Sequence, residues 1–166
     1  MKASDIIIYG LHRIDWHHFE QSLYDSFAVN AVTLNRNGTR KTSGDVPWAN
    51  ELCALIKMHP NGANKICNRL LKILLQAAQS KKKFVTGECA AGMNKWVLPI
   101  IQEDEIDGFV NICGRPFCNA DRIYTEYISK TIELDTEIIE NLLPCLKPID
   151  SRTLKEMKRF IKSYLN

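Results

Sequence analysis

Two apolar stripes of helical period, over residues 47–57 and 61–80, stand between two groups of β-type runs, and that order leaves few ways to bury them. Upstream, Asp15 caps a predicted helix over 15–28 that carries Trp16, Phe19, Leu23 and Phe27. The β-branched run at 29–34 reads as a strand, and Asn35, Arg36, Asn37 and Gly38 as a tight turn into a second strand at 39–43. Pro47 suits the first turn of the short helix that holds Leu52, Cys53 and Ile56. Asn61 caps the long one, whose stripe runs through Ile66, Cys67, Leu70, Leu71, Leu74 and Ala78. Downstream, strands are expected at 84–88, 95–101 and 107–113. The last two flank a polar turn at 102–106 and so should pair antiparallel. Two tail helices, over 119–142 and 151–164, are separated by Pro144 and Pro148.

The expected architecture is α+β: a PAS-like five-stranded antiparallel sheet, a helical crossover covering one face, and helices at both ends. With 166 residues, 45% of them hydrophobic, the chain suits one domain over 1–166, with a core at about 15–116 and a helical tail at about 119–166. The net charge of +3 is small, and only Lys81, Lys82 and Lys83 cluster, at a helix end where cations complement the dipole. Direct nucleic-acid binding is therefore not expected. No apolar stretch approaches the roughly 20 residues of a membrane span, and the first ten residues lack the pattern of a signal peptide. These features point to a cytoplasmic protein without a membrane partner. There the six cysteines are expected as free thiols, metal ligands or redox groups.

Five of those thiols, Cys53, Cys67, Cys89, Cys113 and Cys118, fall on successive elements, while Cys145 lies in the tail. Cys53, Cys67, Cys89, Met93, Trp96, Trp48, Phe109, Asn111 and Cys113 form the expected ligand pocket. Its thiols, thioether and aromatics give an apolar, polarisable lining, and Asn94, Asn111 and Thr86 offer directional hydrogen bonds. The same sulfur ligands leave a metal reading open: Cys53, Cys67, Cys89 and Cys113, or Cys118 as the fourth, suit zinc or an iron–sulfur cluster. None of the intervals is the C-x2-C knuckle of a sequence-legible zinc site. The cofactor therefore stays unknown.

Catalytic patterns are thin. A cysteine–histidine pair requires a tertiary contact such as His59 with Cys89, and no phosphate loop or nucleophile elbow occurs. An enzyme is not expected. Glu103, Asp104, Glu105 and Asp107 read as a solvated turn, because a calcium loop needs a glycine among its ligands. In the tail, Ile128, Ile132, Leu134, Ile138, Ile139, Leu142 and Leu143 offer apolar surface for packing on the sheet or for a homodimer or signalling-protein contact.

The block 48–116 resembles the PocR sensory family, a PAS-like ligand-binding domain of prokaryotic signalling proteins. The matching pieces are Glu51, Leu52 and Cys53; Asn64 to Cys67; and Cys89, Ala90, Ala91, Gly92 and Met93. They are followed by Trp96 to Ile100 and by the strand 106–112 leading to Gly114. Family members often carry a histidine where this chain has Ala90 and a glutamine where it has Arg115. The resemblance implies a sensor of small hydrocarbon derivatives such as short diols, acting in signal transduction or transcription regulation. PocR domains are usually joined to an output module, so here the output is expected to run through a partner or a dimer contact of the C-terminal helices.

Overall fold

The computed structural model describes residues 8–9, 14–117 and 123–165. The expected Cys118 and the first residues of the tail lie outside that set. Helix α1 (Trp16–Phe27) starts where the Asp15 carboxylate accepts the His18 N–H at 3.0 Å, and ends in the left-handed Ala28. Strand β2 (Asn30–Asn35) follows, then helix α2 (Glu51–Met58) and one helical turn, α3 (Pro60–Gly62). From α3 the chain runs on through a π-helical segment (Ala63–Asn68) into α4 (Arg69–Lys81). Strands β3 (Val85–Glu88), β4 (Met93–Gln102) and β5 (Glu105–Pro116) form an antiparallel meander. The tail holds α5 (Thr125–Ile132), α6 (Thr136–Leu142) and α7 (Ser151–Leu165).

The sheet corrects one expectation. Its antiparallel part has four strands, with β2 paired to β5, β5 to β4 and β4 to β3. A two-residue strand, β1 (Ile8–Tyr9), adds to β4 in parallel at Ile100 and Ile101, beyond the stretch that β3 occupies. The strand expected at 39–43 shrinks to an isolated bridge between Leu34 and Arg40. The cause is Glu20, a fully buried carboxylate of α1 that needs donors. It accepts the Thr33 N–H at 2.6 Å and the Thr42 hydroxyl at 2.9 and 3.0 Å, with Arg40 3.7 Å away. Those contacts draw the segment off the ladder and onto the helix.

Three boundaries also move for local reasons. Residues 47–49 stay outside the helix because the Asn30 amide donates to Pro47 O and its oxygen accepts the Ala49 N–H, so α2 begins at the Asn50 cap. The β4–β5 turn closes on only two residues, Glu103 and Asp104, both at positive φ as a type I′ turn requires. The single helix expected at 119–142 breaks at Glu133, which adopts a left-handed conformation while the Ser129 hydroxyl donates to Leu134 O.

Successive residues of β4 and β5 point to opposite faces. Trp96, Leu98, Ile100, Val110 and Ile112 pack with Phe19 and Leu23 of α1 and Met157 and Ile161 of α7. On the other face, Val97 and Phe109 pack against Leu74 and Ala78 of α4, while Met93 joins a cluster with Leu52, Ile56 and Ile66. That second cluster also contains Ile128, Ile132 and Ile139 of α5 and α6.

Candidate functional site

The face of the sheet beneath the crossover helices receives Met93, Lys95 and Val97 from β4 and Phe109, Asn111 and Cys113 from β5. A bulge sets the end of this row. Asn94 pairs with Arg115 and Lys95 with Cys113, so Gly114 is the extra residue, at φ +105°. A Cβ there would stand 2.6 Å from the Ala49 Cβ, so only glycine lets the approach to α2 come this close. Asn50 then ties the two elements together, donating to Gly114 O at 2.6 Å while its oxygen accepts the Cys53 N–H at 2.7 Å. The cap that starts α2 thereby brings Cys53 toward Cys113.

Cys67 sits in the π-helical segment, where the Arg69 N–H reaches back five residues to Asn64 O. Cys89 lies on the turn between β3 and β4. Its N–H donates to Met93 O, its carbonyl accepts the Gly92 N–H, and Gly92 takes φ +73°. Cys53, Cys67 and Cys89 are all partly buried against the cluster of Leu52, Ile66 and Met93.

The thiols lie close enough to disturb one another. Burial pushes the Cys53 thiol far up, with Cys113, Cys89 and Cys67 adding repulsion and the Asn50 side chain opposing. Burial likewise raises Cys67, against Lys95 and Lys57, which favour its thiolate. Cys89 is pushed up to about 11 because burial outweighs the N–H groups of Met93 and Ala91. These three rest as neutral thiols at pH 7. A nucleophile or a metal ligand requires the thiolate. Among the described residues, no three His, Cys, Asp or Glu side chains stand where they could hold a metal ion.

The structure places the other expected pocket residues unevenly. Met93, Asn111 and Cys113 share the crossover-side face with the three thiols, and Phe109 lies on that face farther along, under α4. Trp96 is on the opposite face, edge-on to Phe117 at 6.4 Å, so it is core packing for α1 and α7. Trp48 is 46% exposed on the approach to α2. Asn94 donates to Arg115 O, Thr86 is exposed, and Cys145 is exposed in the tail.

One residue was absent from the sequence expectation. Lys95 is only 5% exposed, and its ammonium crosses from β4 to donate to Cys67 O at 3.0 Å. The signal lay in its position, two residues from Met93 and from Val97 on a strand otherwise fit for burial. Near it, Asn111 is 7% exposed and its Oδ1 has no hydrogen-bond partner. An open groove of about 470 Å³ borders Cys89 and Ala90, between Ile66 and Leu70 on one side and Tyr124 and Tyr127 on the other.

A family model described as the sensory domain found in PocR matches residues 13–166. The chain belongs to the PocR sensory family. The match spans this PocR domain from just before α1 through the last residue of the sequence, so the tail helices are part of the family unit. No curated protein and no solved structure matches the chain significantly. No helix among the described residues of the PocR domain is long and apolar enough to cross a membrane.

The tail meets the site in two places. Ile128, Ile132 and Ile139 share one cluster with Cys53, Cys67 and Cys89. Leu134, Leu142 and Leu143 pack against the same cluster, leaving Ile138 of the apolar tail set 44% exposed. Two residues beyond Cys113, the Arg115 guanidinium donates to Phe27 O, Lys147 O and Pro148 O, which joins the end of β5 to α1 and to the approach to α7.

Proposed function

We propose that this chain is one sensory domain that binds a small organic ligand between the crossover-side face of β4 and β5 and the helices above it, and acts as a sensor without catalysing a reaction. The observation that carries this reading is the convergence of Cys53, Cys67, Cys89 and Cys113 with Lys95 and the unpartnered Asn111 oxygen on one face. A polarisable lining with few polar anchors suits a small, largely hydrocarbon molecule. Neutral thiols fit binding better than catalysis. The placement of β2 beside β5, with helices α2 to α4 and strands β3 and β4 between them in sequence, supports the PAS-like description of the fold.

The signal leaves through the tail. A ligand that moves Cys53, Cys67 or Cys89 by a fraction of an ångström presses on the aliphatic residues of α5 and α6 in the same cluster. A shift along β5 reaches the Arg115 clamp. Either route changes the surface offered to a signalling partner or to a second copy, and so to transcription regulation, in proportion to the ligand's preference for one conformation.

A thermal-shift screen of small alcohols, diols, aldehydes and acids tests the reading. A true ligand at roughly 100 times its dissociation constant stabilises the fold by about 2.7 kcal/mol. Cys53→Leu should abolish that shift and Asn111→Leu should reduce it, while the unliganded proteins stay folded. A hit whose shift survives both substitutions binds elsewhere and removes the assignment.

A further inference from the structure

Among the described residues, nothing balances one full positive charge on the crossover-side face. Lys95 is buried, and an ammonium has three N–H donors, of which Cys67 O takes one. Among the described residues no carboxylate pairs with it. The ion pairs of Glu20, Asp107, Glu105, Glu126 and Glu156 are made with Arg40, Lys41, Arg36, Lys130 and Arg152. Cys53, Cys67 and Cys89 rest protonated and bring no negative charge. An uncompensated buried charge is among the most costly features a fold can carry, and such charges are normally paired.

Asn111 adds a second open valence. Lys95 pairs with Cys113 and Val97 with Asn111, so Lys95 and Asn111 are diagonal neighbours on the same face of two adjacent strands. The Asn111 Oδ1 accepts nothing, although the residue is more than nine-tenths buried. The site thus offers a cation with free donors and, beside it, a free acceptor.

We propose that the ligand is a small hydroxycarboxylate, its carboxylate on the Lys95 ammonium and its hydroxyl donating to Asn111 Oδ1. This rests on the ligand-binding reading of the same face and narrows its chemistry. A neutral diol satisfies Asn111 but leaves the charge. A plain carboxylate meets the charge and leaves the acceptor bare. Only a molecule with both groups closes both valences, and its short carbon chain lies against Met93 and the thiols.

The test is calorimetric titration of the full chain with lactate, 3-hydroxybutyrate, propionate and propane-1,2-diol at one ionic strength, with melting curves to confirm folding. At least one hydroxy acid should bind about tenfold or more tighter than both propionate and the diol, the scale of one unmade buried hydrogen bond or charge contact. Lys95→Met should erase the preference for acids over the diol, Lys95→Arg should keep part of it, and Asn111→Leu should bring the hydroxy acid down to the level of propionate. If Lys95→Met does not fold, Lys95→Gln replaces it. Diol binding that equals or exceeds acid binding and ignores Lys95→Met overturns the charge assignment but leaves the pocket standing. Hydroxy-acid binding that ignores both substitutions places the acid elsewhere and overturns the proposal. No binding by any of the four overturns it as well, while a hit of other chemistry in the wider screen would still sustain the pocket.

Discussion

The two faces of one strand pair differ in kind. Toward α1 and α7, β4 and β5 present Trp96, Leu98, Ile100, Val110 and Ile112, an apolar set closed by Phe19, Leu23, Met157 and Ile161, with Asn94 the buried polar residue at its end. Toward the crossover, the alternate residues of the same strands include Lys95, Asn111 and Cys113, met by thiols from α2, the π-helical segment and the β3–β4 turn. Both faces are buried, so hydrophobic burial alone does not explain the second. A face that keeps a cation and an unpartnered amide oxygen out of water gives up stability that aliphatic residues would supply. The apolar face holds the domain together, and the polar one is where the proposed ligand would bind.

The comparison can be broken by substitution. Trp96→Ala should lower unfolding free energy by about 3–5 kcal/mol, as expected for a large aromatic lost from a close-packed core. Cys113→Ala on the opposite face should cost only about 1 kcal/mol, near the value of one small buried group. Urea unfolding of the two variants measures both, and equal losses would remove the distinction between the faces.

Gly114→Ala should cost about 1–3 kcal/mol, because the added Cβ meets Ala49 and the backbone is held at φ +105°. The loss should come with faster labelling of Cys53 by a thiol reagent as α2 loosens from β5. Destabilisation with unchanged labelling would mean that the glycine does not position that thiol.

The thiols add a pH dependence. Cys89 has its folded value raised from 9.0 to about 11, so the native state keeps a proton that the unfolded chain releases. That stability is fully present below pH 9 and is lost as pH rises toward 11, at about 1 kcal/mol per pH unit for one such group. Cys53 and Cys67 act in the same direction. Cys89→Ala should flatten the fall between pH 9 and 11 relative to the unsubstituted chain, and an unchanged slope would show that this thiol is open to solvent.

The smallest effect is expected on the tail. Ile138→Asp, on the exposed side of α6, should change stability by within about 0.5 kcal/mol. Sedimentation of this variant with and without ligand then reads whether that surface takes part in self-association. A dimer lost with Ile138→Asp would extend the functional region from the pocket to the tail.

Much of the fold was legible because period and punctuation are local properties. The stripe at 61–80, the helix behind Asp15 and the downstream strands follow from residue spacing, and their bounds shift by only a few positions. The strand expected at 39–43 failed because a buried carboxylate on α1 competes for its donors, which is not visible in the segment itself. Of the site, the thiols were legible as a set. Trp96 was not separable from them, since a single residue of strand parity decides which face a side chain meets.

By itself the sequence determined the order of the elements, the family to which the chain belongs and the candidate thiols, all of which reside in short-range pattern and residue type. The tertiary structure alone decided that Lys95 and Asn111 share the thiols' face, that burial holds those thiols protonated, and that α5 and α6 complete their cluster. The physical reason is that charge balance and desolvation depend on every group packed around a site, and those neighbours come from elements far apart in the chain.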